Sequence, residues 1–105
     1  MLELFQNIIN ANQTIQNHVF LVDVRTPEEF NSGSVDGAVN IPLSVLEQEL
    51  SQFEDRENIV VFCRSGARSG NAKLILESNG FENVTNGGPW QNVQQALDEV
   101  KEKTI

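Results

Sequence analysis

The sequence predicts an α/β domain built on a mainly parallel sheet, with helices on both faces. Residues 19–22 and 59–62 are short apolar, partly β-branched runs of the kind that parallel sheets bury on both sides. Segments of helical spacing alternate with strand-like runs along the whole chain. At 105 residues the chain has room for one core, large enough to stand without metal or disulfide staples.

Each element has its own signal. Leu2, Phe5, Ile8 and Ile9 are spaced for a short amphipathic helix over 2–11. The strand at 19–22 ends where Asp23-Val24-Arg25 brings in polar residues. Thr26-Pro27-Glu28-Glu29 then supplies an N-cap, a proline at the first helical position and a glutamate at the third. That short helix stops near Gly33. Residues 38–41 resemble a second strand, closed by Pro42. Ser44 and Glu47 have capping-box spacing, and Val45, Leu46 and Leu50 give the next helix its apolar face. The strand at 58–62 runs directly into Cys63-Arg64-Ser65-Gly66-Ala67-Arg68-Ser69-Gly70. A helix follows with Ala72, Ile75 and Leu76 inward and Gly80 as its stop. Residues 81–85 read as a strand, 86–89 as a loop, and 90–103 as a closing helix with Val93, Leu97 and Val100 inward.

Composition narrows the function. A formal net charge of -8 argues against nucleic acid or an anionic membrane as the main partner. No apolar run approaches the roughly 18 residues of a membrane span. One cysteine cannot form an internal disulfide, and it excludes a Cys-rich metal site. Residues 1–12 lack the basic start and continuous apolar stretch of a signal peptide. The expected location is therefore cytoplasmic, with the periplasm as the alternative for a chain whose signal peptide has been removed.

Cys63 stands between a buried strand and a helix start, where backbone N–H groups without internal partners converge on an anion. Such surroundings favour the thiolate, the nucleophilic form. Gly66 and Gly70 permit the dihedrals of a tight cradle. Residues 59–76 hold Arg64, Arg68 and Lys73 but no acid, in a protein with 15 acids and 7 bases. This basic island around the cysteine suggests a small anionic substrate recruited locally. Against it stands the plain alternative that Cys63 is a small buried hydrophobe. Arg68, and less firmly Arg64, are expected to contact the anion, while Ser69 is expected to cap the helix rather than bind. His18 precedes a strand at the end away from the crevice and is not expected to act as a base. Glu28 and Glu29 are read as dipole and capping residues. Asp23 and Arg25 are read as a structural ion pair, and Trp90 as core or crevice rim.

Taken together, these segments resemble the rhodanese family of sulfurtransferases. Leu21-Val22-Asp23-Val24-Arg25 with Pro27-Glu28-Glu29-Phe30 is similar to its first signature, and residues 33–42 to its second. Residues 63–69 are similar to its active-site loop and Gly87-Gly88-Pro89-Trp90 to its final turn. Ser34 and Asp36 depart from the histidine and proline usual in the second signature. The short form and the Ser69-Gly70-Asn71-Ala72-Lys73 continuation look most like the phage shock protein E type. The resemblance implies a single rhodanese-like domain over 1–105, with its signature at about 19–90 and helical ends at 2–11 and 90–103. It also implies a sheet of about five strands.

The implied chemistry is thiosulfate sulfurtransferase activity by a ping-pong mechanism. Cys63 would take sulfane sulfur from thiosulfate as a persulfide and pass it to cyanide, a thiol or a dithiol. Arg64, Ser65, Gly66, Ala67, Arg68 and Ser69 would bind the substrate, with no metal or organic cofactor. Two alternatives share these residues: a persulfide carrier or binding module for a protein partner, and a dual-specificity phosphatase or arsenate reductase of the same fold. The latter resemble a Cys-x5-Arg loop, one residue longer than the spacing from Cys63 to Arg68.

Overall fold

The computed structural model describes Phe5 and residues 18–103. Four strands, β1 (Val19–Asp23), β2 (Val39–Asn40), β3 (Asn58–Cys63) and β4 (Val84–Pro89), form one parallel sheet in the order β2-β1-β3-β4. Among residues 19–103 three α-helices accompany them: α1 (Pro27–Asn31), α2 (Ala67–Ser78) and α3 (Trp90–Lys103).

The α/β class holds as read from the sequence, but the sheet has four strands among the described residues rather than about five. Every strand-patterned segment of residues 18–103 already belongs to one of the four. The helix expected over 2–11 lies outside the described residues except at Phe5, which is helical and fully buried.

Alternation along the strands divides the core. Val19, Leu21, Val60 and Phe62 face Val93, Leu97 and Val100 of α3, with Phe5 in the same cluster. Phe20, Val22, Ile59, Val61 and Cys63 face Ala72 and Leu76 of α2, together with Leu46 and Phe53. A continuous apolar run in sequence is therefore two period-two faces in space, each covered by a different layer.

Capping explains two of the helix boundaries. Thr26 caps α1 through a reciprocal box with Glu29, and Pro27 opens the helix, as the sequence predicts. At the end of α2 the Gly80 and Phe81 N–H groups donate to Glu77 and Leu76 carbonyls, with Gly80 at φ 92°. This is the Schellman closure that the glycine permits.

Two expectations need correction. The helix predicted from Ser44 and Glu47 is a pair of 3₁₀ turns, Leu43–Gln48 and Leu50–Phe53, with no side-chain cap. Pro42 takes the capping position there, while Leu46 and Phe53 are fully buried and hold the turns against the sheet. The strand expected at 81–85 is instead Val84–Pro89, so the predicted loop is the strand's own C-terminal half. Phe81 stays outside it, stacked edge-on against Phe53 at 6.1 Å. A bulge lets the Gly-Gly stretch pair: Val61 faces Asn86, Phe62 faces Gly88, and Gly87 is the extra residue. Pro89 is tolerated because β4 is an edge strand.

The chain leaves β1 toward β2 and leaves β3 toward β4, on opposite sides of the sheet. The crevice of such a sheet opens beyond the C-terminal ends of the two strands where the direction switches. Those ends are Asp23 and Cys63. No helix among the described residues is long and apolar enough to cross a membrane.

Candidate active site

Cys63 ends β3 and is fully buried, packed among the residues beneath α2. The chain then turns through Gly66, which adopts φ 99°, and α2 begins at Ala67. A Cβ at Gly66 would lie 3.4 Å from the Gly88 Cα, so glycine is needed for both the dihedral and the closeness of β4. The Gly66 N–H donates to the Cys63 Sγ at 3.0 Å, and the Ser69 Oγ lies 3.4 Å from the same sulfur. Burial, the largest single influence, pushes the thiol pKa up. The Ser69 hydroxyl and the N–H groups of Ser69, Gly66 and Ser65 outweigh it and bring the thiol below its ordinary 9.0.

The other predicted residues divide sharply. Ser69 is buried and does not cap α2: its hydroxyl donates to the Asn86 Oδ1 at 2.7 Å. The position before α2 is Gly66, with no side-chain cap, and the N–H groups of Ser65, Gly66 and Ser69 act on the sulfur. Arg64 and Ser65 are exposed on the loop, and Ala67 is exposed at the first position of α2.

Arg68 has a protein partner of its own. Its Nη1 and Nη2 donate to Glu29 Oε1 and Oε2 at 2.7 and 3.0 Å, a two-pronged pair. Glu29 is thus both the capping residue expected and the counter-ion of the loop, a role the sequence reading missed. The Arg68 guanidinium, followed by the Thr26 N–H, holds the Glu29 carboxyl down to about 2, and Glu29 in turn raises Arg68. The contact spans 39 residues of sequence, so no local pattern announces it.

Asp23 and Arg25 form the structural pair expected of them. Arg25 Nε and Nη2 donate to the Asp23 carboxylate at 2.7–3.0 Å, Nη2 also donates to the Gly33 carbonyl at 2.6 Å, and Ser34 Oγ donates to Asp23 at 2.7 Å. Ser34, in place of the family's histidine, therefore closes a buried network. Arg25 also lies over the half-buried Trp90 ring, 5.4 Å from its centroid. His18 pairs with Glu57 at 2.6 Å at the opposite end of the sheet, clear of the loop. Beside Arg68 opens a cleft of about 210 Å³, lined by Val24, Thr26, Pro42, Leu43 and Ser44.

A buried thiol, lowered in pKa and held in a helix-start cradle at the switch point of a parallel sheet, is the central feature of this α/β domain. The sequence matches the rhodanese-like domain over residues 2–88, and the chain belongs to that family. It is 34% identical to the thiosulfate sulfurtransferase PspE of Escherichia coli over 76% of this chain and 77% of the relative. It is 40% identical to thiosulfate sulfurtransferase 16 of Arabidopsis thaliana, over 67% of this chain and 68% of the relative. The fold is similar to that of a rhodanese-like domain protein from Staphylococcus aureus: TM-score 0.69, 28% identity, covering 87% of this chain and 85% of the other.

Proposed function

We propose that this protein is a thiosulfate sulfurtransferase working through a Cys63 persulfide. The observation that carries the reading is the sulfur's own environment: one N–H at 3.0 Å, one hydroxyl at 3.4 Å, and a thiol that ionises below its ordinary range. The names of its relatives support the same chemistry.

In the first half-reaction the Cys63 thiolate attacks the outer sulfur of thiosulfate. A new S–S bond forms, the sulfur–sulfur bond of the donor breaks, and its electron pair leaves with sulfite. The persulfide's terminal sulfur carries the negative charge, which the loop N–H groups stabilise as they did the thiolate. In the second half-reaction a thiolate or cyanide attacks that terminal sulfur and returns Cys63 as thiolate. Arg64 is the exposed loop cation that attracts the donor, while Arg68 keeps two of its N–H groups on Glu29 and shapes the loop's flank. This arrangement disfavours the phosphatase reading, which asks the loop arginine to clamp a tetrahedral oxyanion. The cytoplasm suits a lone reactive thiol, because a reducing compartment keeps it unpaired.

The test is intact mass after brief incubation with thiosulfate and desalting, with Cys63→Ser as control. A gain of about one sulfur atom, absent from the control and removed by cyanide, is expected. No gain on a Cys63 that still alkylates readily would overturn the reading and direct attention to phosphate and arsenate substrates.

A further inference from the structure

Asn86 reaches the reactive sulfur through two other groups. Its Oδ1 accepts from the Ser69 hydroxyl at 2.7 Å and from the Gly88 N–H at 2.9 Å, and its Nδ2 donates to the Gly66 carbonyl at 3.2 Å. Ser69 and Gly66 both hold polar atoms against the Cys63 Sγ. Both are therefore tied to one amide on the neighbouring edge strand. The bulge at Gly87 makes this possible, since it brings the Gly88 N–H back onto the Asn86 side chain.

Counting protons gives the amide a second task. Ser69 has one hydroxyl proton and two acceptors within reach, Asn86 Oδ1 and the sulfur. While Cys63 is a thiol, its S–H donates to Ser69 Oγ and Ser69 donates to Asn86. When Cys63 ionises, the same hydroxyl turns its proton to the sulfur. Asn86 Oδ1 then keeps the Gly88 N–H, so no acceptor is left bare. We propose that Asn86 is a positioning residue for sulfur transfer, which aims the Ser69 hydroxyl and the Gly66 peptide at Cys63 and releases the Ser69 proton when the thiolate forms. Its consequence for turnover rests on the function proposed above; its effect on the thiol does not.

The charged groups around the loop are Arg64 on the loop itself, Arg68 of α2 with Glu29 of α1, and the Asp23–Arg25 pair at the end of β1. Glu29, held at about 2, and Arg68, held up by Glu29, do not change charge in the range where the thiol titrates.

The experiment follows the rate of Cys63 alkylation by iodoacetamide from about pH 5 to about pH 10, for wild type, Asn86→Ala, Asn86→Asp, Ser69→Ala and the double alanine variant. Circular dichroism confirms that each is folded. Asn86→Ala removes a competing acceptor for the Ser69 proton but also unties the Gly66 peptide and the Ser69 hydroxyl from their aim at the sulfur. The lost aim is expected to dominate, moving the alkylation midpoint upward and slowing the reaction at neutral pH by roughly 3–10-fold. Asn86→Asp, which is isosteric, moves it further, because a carboxylate holds the Ser69 proton more firmly and adds negative charge beside the thiolate. The double variant shifts less than the sum of the singles, as expected for residues acting through one another. A folded Asn86→Ala or Asn86→Asp with the wild-type pH profile overturns the proposal, and so do singles that add in full. If Asn86→Ala does not fold, Asn86→Asp decides alone. Shifted profiles without sulfur uptake from thiosulfate leave the positioning role standing and remove the sulfurtransferase reading; sulfur uptake with unshifted profiles does the reverse.

Discussion

Cys63 is held in a contest between burial, which favours the thiol, and donors aimed at its sulfur, which favour the thiolate. The donors win, and the sign of that outcome is measurable as stability. A group whose folded pKa lies below its unfolded value contributes stability that is complete above the unfolded value and is lost as pH falls through the folded one. Relative to Cys63→Ser, wild type should therefore gain melting temperature as pH rises from about 6 to about 10, in low salt and with reductant present. A constant gap between the two proteins across that range would show that the sulfur's partners do not discriminate thiolate from thiol. Gly66 contributes at this scale as well, because its N–H reaches the sulfur only through a dihedral that other residues avoid.

Helix α1 has five residues and no fully buried side chain, so packing alone would hold it weakly. Its capping box fixes its start, and the Glu29–Arg68 pair fastens it to α2 across the crevice. Both partners are part-exposed, so the pair's contribution is screened and modest. The pH dependence still has a definite sign. Glu29 titrates at about 2 rather than 4.5, so its contribution is full above 4.5 and fades as pH falls through about 2. The stability difference between wild type and Glu29→Gln should be constant near neutrality and should close in acid. Urea titrations at pH values from about 6 down to about 2 check this, and a gap that persists at the acid end would assign the pair no pH-linked contribution.

For the whole molecule, the decisive tie is the buried Asp23–Arg25 pair, where β1 ends at the switch point of the sheet. Asp23 joins Arg25, Ser34 and, through its carbonyl, Asn40 of β2, while Arg25 reaches the Gly33 carbonyl and Trp90 at the start of α3. One residue thus fixes the loops that flank the crevice on several sides. Asp23→Ala would leave the Arg25 guanidinium buried with no counter-charge, and a loss of about 3–5 kcal/mol is expected by urea denaturation. Replacing both residues with apolar ones of similar volume should cost less, because no charge is then stranded. A single substitution that costs under about 1 kcal/mol would mean that water or a shifted side chain satisfies Arg25, against the closed network described here.

Much of this was legible from the chain alone. Continuous apolar, partly β-branched runs identify β1 and β3, reciprocal capping residues locate α1, and Gly80 marks the end of α2, because these are short-range preferences written within a few residues. The cysteine in its glycine-rich, base-rich stretch was visible for the same reason. Ser44 and Glu47 misled because capping chemistry is permissive; burial of Leu46 and Phe53 decided for 3₁₀ turns. Asn86-Gly87-Gly88-Pro89 reads as a loop because only pairing with β3 reveals the bulge that keeps it in the sheet. The partners of the site were decided by tertiary structure: Glu29 on Arg68 and Asn86 on Ser69 are joined across 39 and 17 residues of sequence. The sequence by itself determined where a nucleophile could be made. Which side chains orient it depended on the order of the strands, since parallel pairing brings distant residues together at one end of a sheet and no local preference encodes that meeting.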